Sequence, residues 1–138
     1  MILIDTGPLI ALFDPKDPDH TACHKALDKI TEPLFTTEAV LTEAFHLLDP
    51  VSRGTEGLKQ FILQEYTSVV CIQLESFCRV FELMEKYMDC PMDFADATLI
   101  VSAEKLTITK VFTLNISDFS VYRVKRGHRH VALEIINI

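Results

Sequence analysis

The stretch ILIDTGPLIALFD, residues 2–14, decides the fold. Its first three residues form a short apolar run, rich in β-branched side chains, that stops at Asp5. Thr6 then offers an N-cap and Pro8 stands in the first helical turn, where its missing N–H removes no helical hydrogen bond. The reading is a strand that runs straight into a short helix.

The alternation continues outward. PDHTACHKALDKI (18–30) repeats apolar residues at Ala22, Ala26, Leu27 and Ile30, PLF (33–35) is brief and apolar, and TTEAVLTEAFHLLD (36–49) restarts helical spacing behind a Thr cap. TEGLKQFILQEY (55–66) sets Leu58, Phe61, Ile62 and Tyr66 on one face, and SVVCIQL (68–74) is strand-like. ESFCRVFELMEKYM (75–88) carries Phe77, Phe81, Met84 and Met88 at helical intervals, a stripe suited to the core or to a second copy of the chain. CPMDFADATLIVSAEKL (90–106) is a helix, TKVFTL (109–114) a strand, NISDF (115–119) a turn, and VALEIINI (131–138) a closing strand. Loop signals fall at DPKDPD (14–19), DPVSRGTEG (49–57) and VKRGHR (124–129). Strands separated by helices require crossover connections, so the expected fold class is α/β: three layers, α/β/α, with a mostly parallel central sheet. Ligands of such sheets bind beyond the carboxyl ends of the strands, which is where Asp5 falls.

Composition bounds the rest. A chain of 138 residues, 49% hydrophobic and with mean hydropathy +0.22, can bury its core in one domain spanning 1–138. No apolar run approaches the ~20 residues of a bilayer span, and MILID has neither a basic leader nor a cleavage pattern, so a soluble cytoplasmic protein with no membrane partner is expected. The four cysteines (Cys23, Cys71, Cys78, Cys90) form no C-x-x-C pair and read as reduced, mostly buried thiols. His20 and His24 flank Cys23 one turn apart but lack further zinc ligands at useful spacing, so a surface role is expected for them. The net charge of -7 argues against a polyanionic partner unless part of it belongs to a site that a cation neutralises.

Several carboxylates sit in unexpected places. On the helix over 36–49, Glu43 falls inside the stripe of Val40, Ala44, Leu47 and Leu48. On the helix over 90–106, Asp96 lies four residues before Ile100, and Asp93 shares its face one turn earlier. Capping accounts for Asp93, since an N-terminal Asp satisfies free N–H groups for roughly 1 kcal/mol. Asp96 and Glu43 lie too deep for that, and each is open to two readings, a buried ion pair or a functional site. No Lys or Arg lies within a turn of Asp96 on its helix. Converging with Asp5, these acids would repel one another without a multivalent cation, and oxygen-only donors select Mg²⁺ or Mn²⁺ over zinc. A fourth contributor is expected after TKVFTL, from Asn115 or Asp118, each of which could equally be a turn residue.

Taken in order, LIDTGPLIALFD, TEAVLTEAFHLL, FADATLIVSAEKL and KVFTLNISDF resemble the four acidic motifs of PIN-domain proteins, particularly VapC-like toxin ribonucleases. The resemblance runs from Met1 to about Phe119. It makes Asp5, Glu43 and Asp96 the principal acids, with Thr6 the hydroxyl after the first and Thr113 a supporting residue. Asn115 or Asp118 fills the fourth position, and Asp93 is an additional acid. It implies Mg²⁺- or Mn²⁺-dependent hydrolysis of RNA, a small antitoxin as partner, and a homodimer paired through mid-chain helices bearing Phe45, Phe61, Phe77 and Phe81. YRVKRGHRH, with Arg123, Lys125, Arg126 and Arg129, is the expected phosphate-contacting patch, or else a solvated hairpin. The alternative from another class is a PIN-fold interaction module with a vestigial site. An aspartyl phosphatase would want D-x-D at the end of the first strand, where Asp5 is followed by Thr6 and Gly7, and receiver-domain, P-loop, dinucleotide and serine-hydrolase patterns are missing.

Overall fold

The computed structural model describes residues 1–48 and 53–138. The chain runs through β1 (Ile2–Ile4), α1 (Thr6–Phe13), α2 (His20–Lys29), β2 (Leu34–Thr37), α3 (Glu38–Leu47), α4 (Gly54–Leu63) and β3 (Thr67–Val70). A single 3₁₀ turn, Leu74–Ser76, leads into α5 (Phe77–Lys86), followed by α6 (Phe94–Leu106), β4 (Lys110–Phe112) and α7 (Ile116–Val121). The last elements are β5 (Val124–Arg126), β6 (Arg129–Val131) and β7 (Glu134–Ile135). Five strands form a parallel sheet in the order β3-β2-β1-β4-β7. Helices cover it, giving the expected three-layer α/β/α class. No helix of the described residues is long and apolar enough to cross a membrane.

Strand β1 is central and wholly buried, with Ile2 over Leu34 on one side and Lys110 on the other. A parallel strand covered on both faces must be apolar at every position, which is why ILI carries no alternation. Because all five strands point the same way, Asp5, the start of α3 and the segment after β4 share one edge of the sheet. α6 precedes β4 and runs back against it, so its N-terminus reaches the same edge.

α6 is the structural spine. Every residue from Ala95 to Ala103 is buried, a helix apolar nearly all round rather than along one stripe. Its hydroxyls are satisfied: Thr98 donates to the Ala95 carbonyl and pairs with Thr37, and Ser102 donates to the Thr98 carbonyl. Burying Leu99 and Ile100 contributes roughly 1.5–3 kcal/mol each.

Several sequence expectations are corrected. The cap of α1 is Asp5, not Thr6: its side chain accepts from the Thr6 N–H, and Thr6 is the first helical residue. Thr37 does cap α3, accepting from the Val40 N–H. On α3 the core face is Val40, Ala44 and Leu48, while Leu47 is 62% exposed; Glu43, one turn before Leu47, lies on the flank and is half-buried. On α5 the buried residues are Val80 and Leu83, with Tyr87 just beyond, and Phe81 and Met88 point outward. Met84 packs partly against the core, so the stripe Phe77, Phe81, Met84 and Met88 divides between the two surfaces it was suited to rather than belonging wholly to the core. β3 stops at Val70, short of the strand expected to Leu74. NISDF is not a bare turn: Asn115 caps α7. VKRGHR is the β5–β6 hairpin, with Gly127 at φ 61 in its turn, and the closing strand is reduced to Glu134–Ile135. The loop signal over 49–57 lies partly outside the described residues, and α4 already begins at Gly54 within it.

Candidate active site

Asp5 leaves the end of β1 buried, only 7% exposed, and both its oxygens are engaged. Oδ1 accepts from the Thr6 N–H at 2.8 Å and Oδ2 from the Thr113 hydroxyl at 2.8 Å. Gly7 eases the approach of the two segments. A Cβ there would stand 3.3 Å from the Leu114 Cβ, so the glycine lets α1 lie close against the segment that carries Thr113. Burial raises the Asp5 pKa, the Thr6 and Thr113 hydrogen bonds oppose it, and the Asp93 charge adds to the rise.

The remaining acids arrive from two helices. Glu43, on α3, accepts from the Thr6 hydroxyl at 2.8 Å. Burial raises its pKa, the Thr6 hydrogen bond opposes that, and Asp93 and then the Asp5 charge raise it further. Asp96, on α6, is pushed up to about 7 by burial first, then by Asp5, Asp93 and Glu43, against a lowering hydrogen bond from Tyr122. Asp93 is the N-cap of α6, accepting from the Asp96 N–H at 2.8 Å. Capping and charge are thus both real for Asp93: the same carboxylate ends the helix and acts on the other three.

Asp5, Glu43, Asp93 and Asp96 therefore form one electrostatic cluster at the carboxyl edge of the sheet. The ion pairs among the described residues engage Glu32, Glu56, Glu82 and Glu104, and none of these four acids. Tyr122, buried, donates its hydroxyl to Asp96 Oδ2 at 3.0 Å. Burial and the Asp96 charge hold that phenol far above its ordinary range, so it remains a donor. Sequence reading missed Tyr122, since no spacing rule links residues 26 apart on different elements.

The fourth-position candidates reach this cluster through intermediaries. Asp118 accepts from Asn115 Nδ2 at 2.7 Å and from the Cys90 thiol at 3.2 Å, and its charge is felt by Cys90 and Tyr122. The Asn115 N–H donates to the Thr113 hydroxyl at 3.0 Å, so Asn115 reaches Asp5 only through Thr113.

The basic residues run away from the acids. Arg123 closes α7, donating to the carbonyls of Ser120, Val121 and Tyr122. The Lys125 N–H donates to Glu104, about two turns along α6 from Asp96 or roughly 12 Å. Arg126 donates to the Ile108 carbonyl beyond the end of that helix, while Lys125 and Arg129 are exposed. His20 and His24 stack edge-on and bond the carbonyls of Ala11 and Leu12, tying α2 to the end of α1. The larger groove, about 570 Å³, lies at the amino edge between Ile2, Ala26, Ile30 and Ile136, away from the acids.

The donor set fits a hard divalent cation by its chemistry: carboxylate oxygens, partly buried, mutually repelling and without a cationic partner among the described residues. As the side chains stand, no three His, Cys, Asp or Glu of the described residues close around a common point. Thr6, Thr113 and Tyr122 hold the carboxylates in separate hydrogen bonds.

The family model described as PIN domain matches residues 2–125. Ribonuclease VapC26 of Mycobacterium tuberculosis (strain ATCC 25618 / H37Rv) is 26% identical over 139 residues, covering 96% of this chain and 99% of that protein. Among solved structures, M. tuberculosis VapC20, a Sarcin-Ricin loop cleaving toxin, is similar with TM-score 0.77 at 18% identity over 86% of this chain and 92% of its own. A chain of VapBC2 from Rickettsia felis, bound to a DNA fragment from its promoter, is similar with TM-score 0.63 at 14% identity over 98% and 97%.

Proposed function

The chain belongs to the PIN domain family, and from that premise we propose that it is a metal-dependent endoribonuclease acting as the toxin of a toxin–antitoxin pair. The observation that carries the reading is the cluster of Asp5, Glu43, Asp93 and Asp96, brought from three elements to one edge of the sheet with no basic residue paired to them among the described residues. Asp5, Glu43 and Asp96 would hold Mg²⁺ or Mn²⁺, with Asp93 at the exposed mouth. Once bound, the cation would supply Lewis-acid charge beside the scissile phosphate and acidify an attacking water. Thr6 and Thr113 keep Glu43 and Asp5 oriented by donating to them. Asn115 steadies Thr113, and Asp118 stands further out as a second candidate for the fourth position.

RNA is the proposed substrate, as the names of VapC26 and VapC20 suggest for those relatives. Lys125 and Arg129 on the hairpin would meet its backbone away from the cut, since Arg123 and Arg126 already spend their guanidinium groups on carbonyls. The compartment is then the cytoplasm, and a small antitoxin is the expected inhibitor. A homodimer fits the outward Phe81 and Met88 of α5.

Cleavage assays test the reading. Protein freed of inhibitor should cut single-stranded RNA in Mn²⁺ or Mg²⁺ and stop on chelation. Asp5→Asn and Asp96→Asn should each slow cutting at least about 100-fold with the circular dichroism unchanged. Wild-type protein that cuts no RNA and binds no divalent ion would overturn it.

A further inference from the structure

We propose that a small cavity at the carboxyl ends of β2 and β3 seats a guanine base of single-stranded RNA beside the acid cluster, an inference that rests on the nuclease reading above. Thr37 and Val70 are paired where the two strands end, and beyond them a cavity of about 130 Å³ opens between the starts of α3 and α6. Pockets for drug-sized ligands run to about 300–1,000 Å³, so this one takes a single flat group rather than a segment of chain. Phe77 and Phe94 supply an aromatic wall, and Glu38 stands on the α3 side. Thr98 also lines it, but the Thr98 hydroxyl is already engaged with Thr37 and the Ala95 carbonyl. Glu38 is the one charged side chain among the described lining residues; it is exposed and enters none of the ion pairs among the described residues.

Phe94 ties the cavity to the acids. It follows Asp93 and stands two residues before Asp96, so cavity and cluster lie on opposite flanks of α6, roughly one helix diameter or 10 Å apart. A strand of RNA crossing the start of α6 would meet both. Ala95 and Ala97 are buried beside it, yet the Phe94 ring is 38% exposed and lies nearly parallel to that of Phe77, at 21° with centroids 6.1 Å apart. An open ring face of this kind stacks a base of any identity, which gives affinity without choice. The choice comes from Glu38. An ionised carboxylate only accepts hydrogen bonds. The Watson–Crick edge of guanine carries an N–H and an amino group side by side, two donors for two oxygens, whereas cytosine and adenine offer one amino group each. The single N–H of uracil lies between two carbonyl oxygens that a carboxylate repels. That edge is free only in an unpaired strand, which sets the substrate class.

Fluorescence anisotropy of labelled RNA hexamers, read with chelator present so that nothing is cut, tests this on wild type, Glu38→Gln, Phe94→Ala and Phe94→Tyr. Wild type should bind hexauridylate carrying one guanosine at least about tenfold more tightly than hexauridylate itself, the scale of a two-bond contact to a base edge. Glu38→Gln exchanges one acceptor for a donor at an exposed position and should bring the two affinities within about threefold of each other. Phe94→Ala should weaken binding of both hexamers at least about fivefold, as loss of one stacked base does, and Phe94→Tyr should keep it. Equal affinity for the two hexamers in wild type, binding of neither, or an unchanged preference in Glu38→Gln overturns the inference and leaves the nuclease reading to the cleavage assay. A changed mass by light scattering in Phe94→Ala with RNA affinity kept also overturns it, because a second copy of the chain would then be what covers the cavity. Wild-type protein that neither binds nor cuts RNA overturns both.

Discussion

Asp96 concentrates the conflict on which the site depends. Burying a carboxylate beside three others costs free energy that only a proton or a cation can relieve, and without metal the proton serves, at a pKa of about 7. Unfolded, the same group titrates near 3.8. The metal-free fold therefore holds the proton more tightly than the unfolded chain does: its advantage is complete below pH about 4 and is lost as the pH rises to about 7, on the order of 4 kcal/mol at most. Asp96→Asn should accordingly raise the melting temperature of metal-free protein at pH 8 by roughly 5 °C or more, and leave it unchanged at pH 4. Thermal unfolding at the two pH values checks this, and an equal gain at both would mean that charge is not the cause. Asp96 was legible in the sequence because an Asp on an inward-turning helical position has few innocent explanations, and Asp5 because it ends a strand, whereas Glu43 was placed on the inward stripe and lies on its flank. Tyr122 was not, because its partner is chosen by tertiary packing and leaves no trace in local spacing.

At the scale of elements, what could be read was what is local. The step from β1 into α1, the Thr37 cap and the Asp93 cap depend on residues within one turn of each other, so sequence carries them directly. Short elements were not readable in this way. α7, with six residues, offers too few positions for a period to show, whereas the β5–β6 hairpin was open to reading through its turn residues. α6 shows the opposite limit: a helix buried on nearly every side looks like a stripe only if one side is chosen to be read. Its far end carries a local strain. Thr107 holds the left-handed C-cap at φ 57, a conformation in which a β-branched residue is disfavoured by roughly 1–2 kcal/mol. Thr107→Gly should stabilise the protein by roughly 1 kcal/mol, partly offset by the freedom glycine gains in the unfolded chain. Urea unfolding measures it, and a loss of stability would show that the Thr107 side chain contributes more than its backbone costs.

At the scale of the whole molecule, the outward side chains of α5 and its approach stand out: Leu74 is 83% exposed, Phe81 56% and Met88 70%. If they pair two copies of the chain, light scattering at micromolar concentration should return twice the monomer mass, and Phe81→Asp should return it to the monomer. Strand order carries a different consequence. The central strand β1 is complete only when β4 lies beside it, and Asp5 is held by a hydroxyl 108 positions further along the chain. During synthesis at the ribosome, Asp5 emerges early and must wait for Thr113, so no partly made chain can carry the finished acid cluster. The hydrogen bond that holds Asp5 can therefore form only after most of the chain has been made, so the edge of the sheet that bears the acids is completed late although its first acid is among the first residues synthesised.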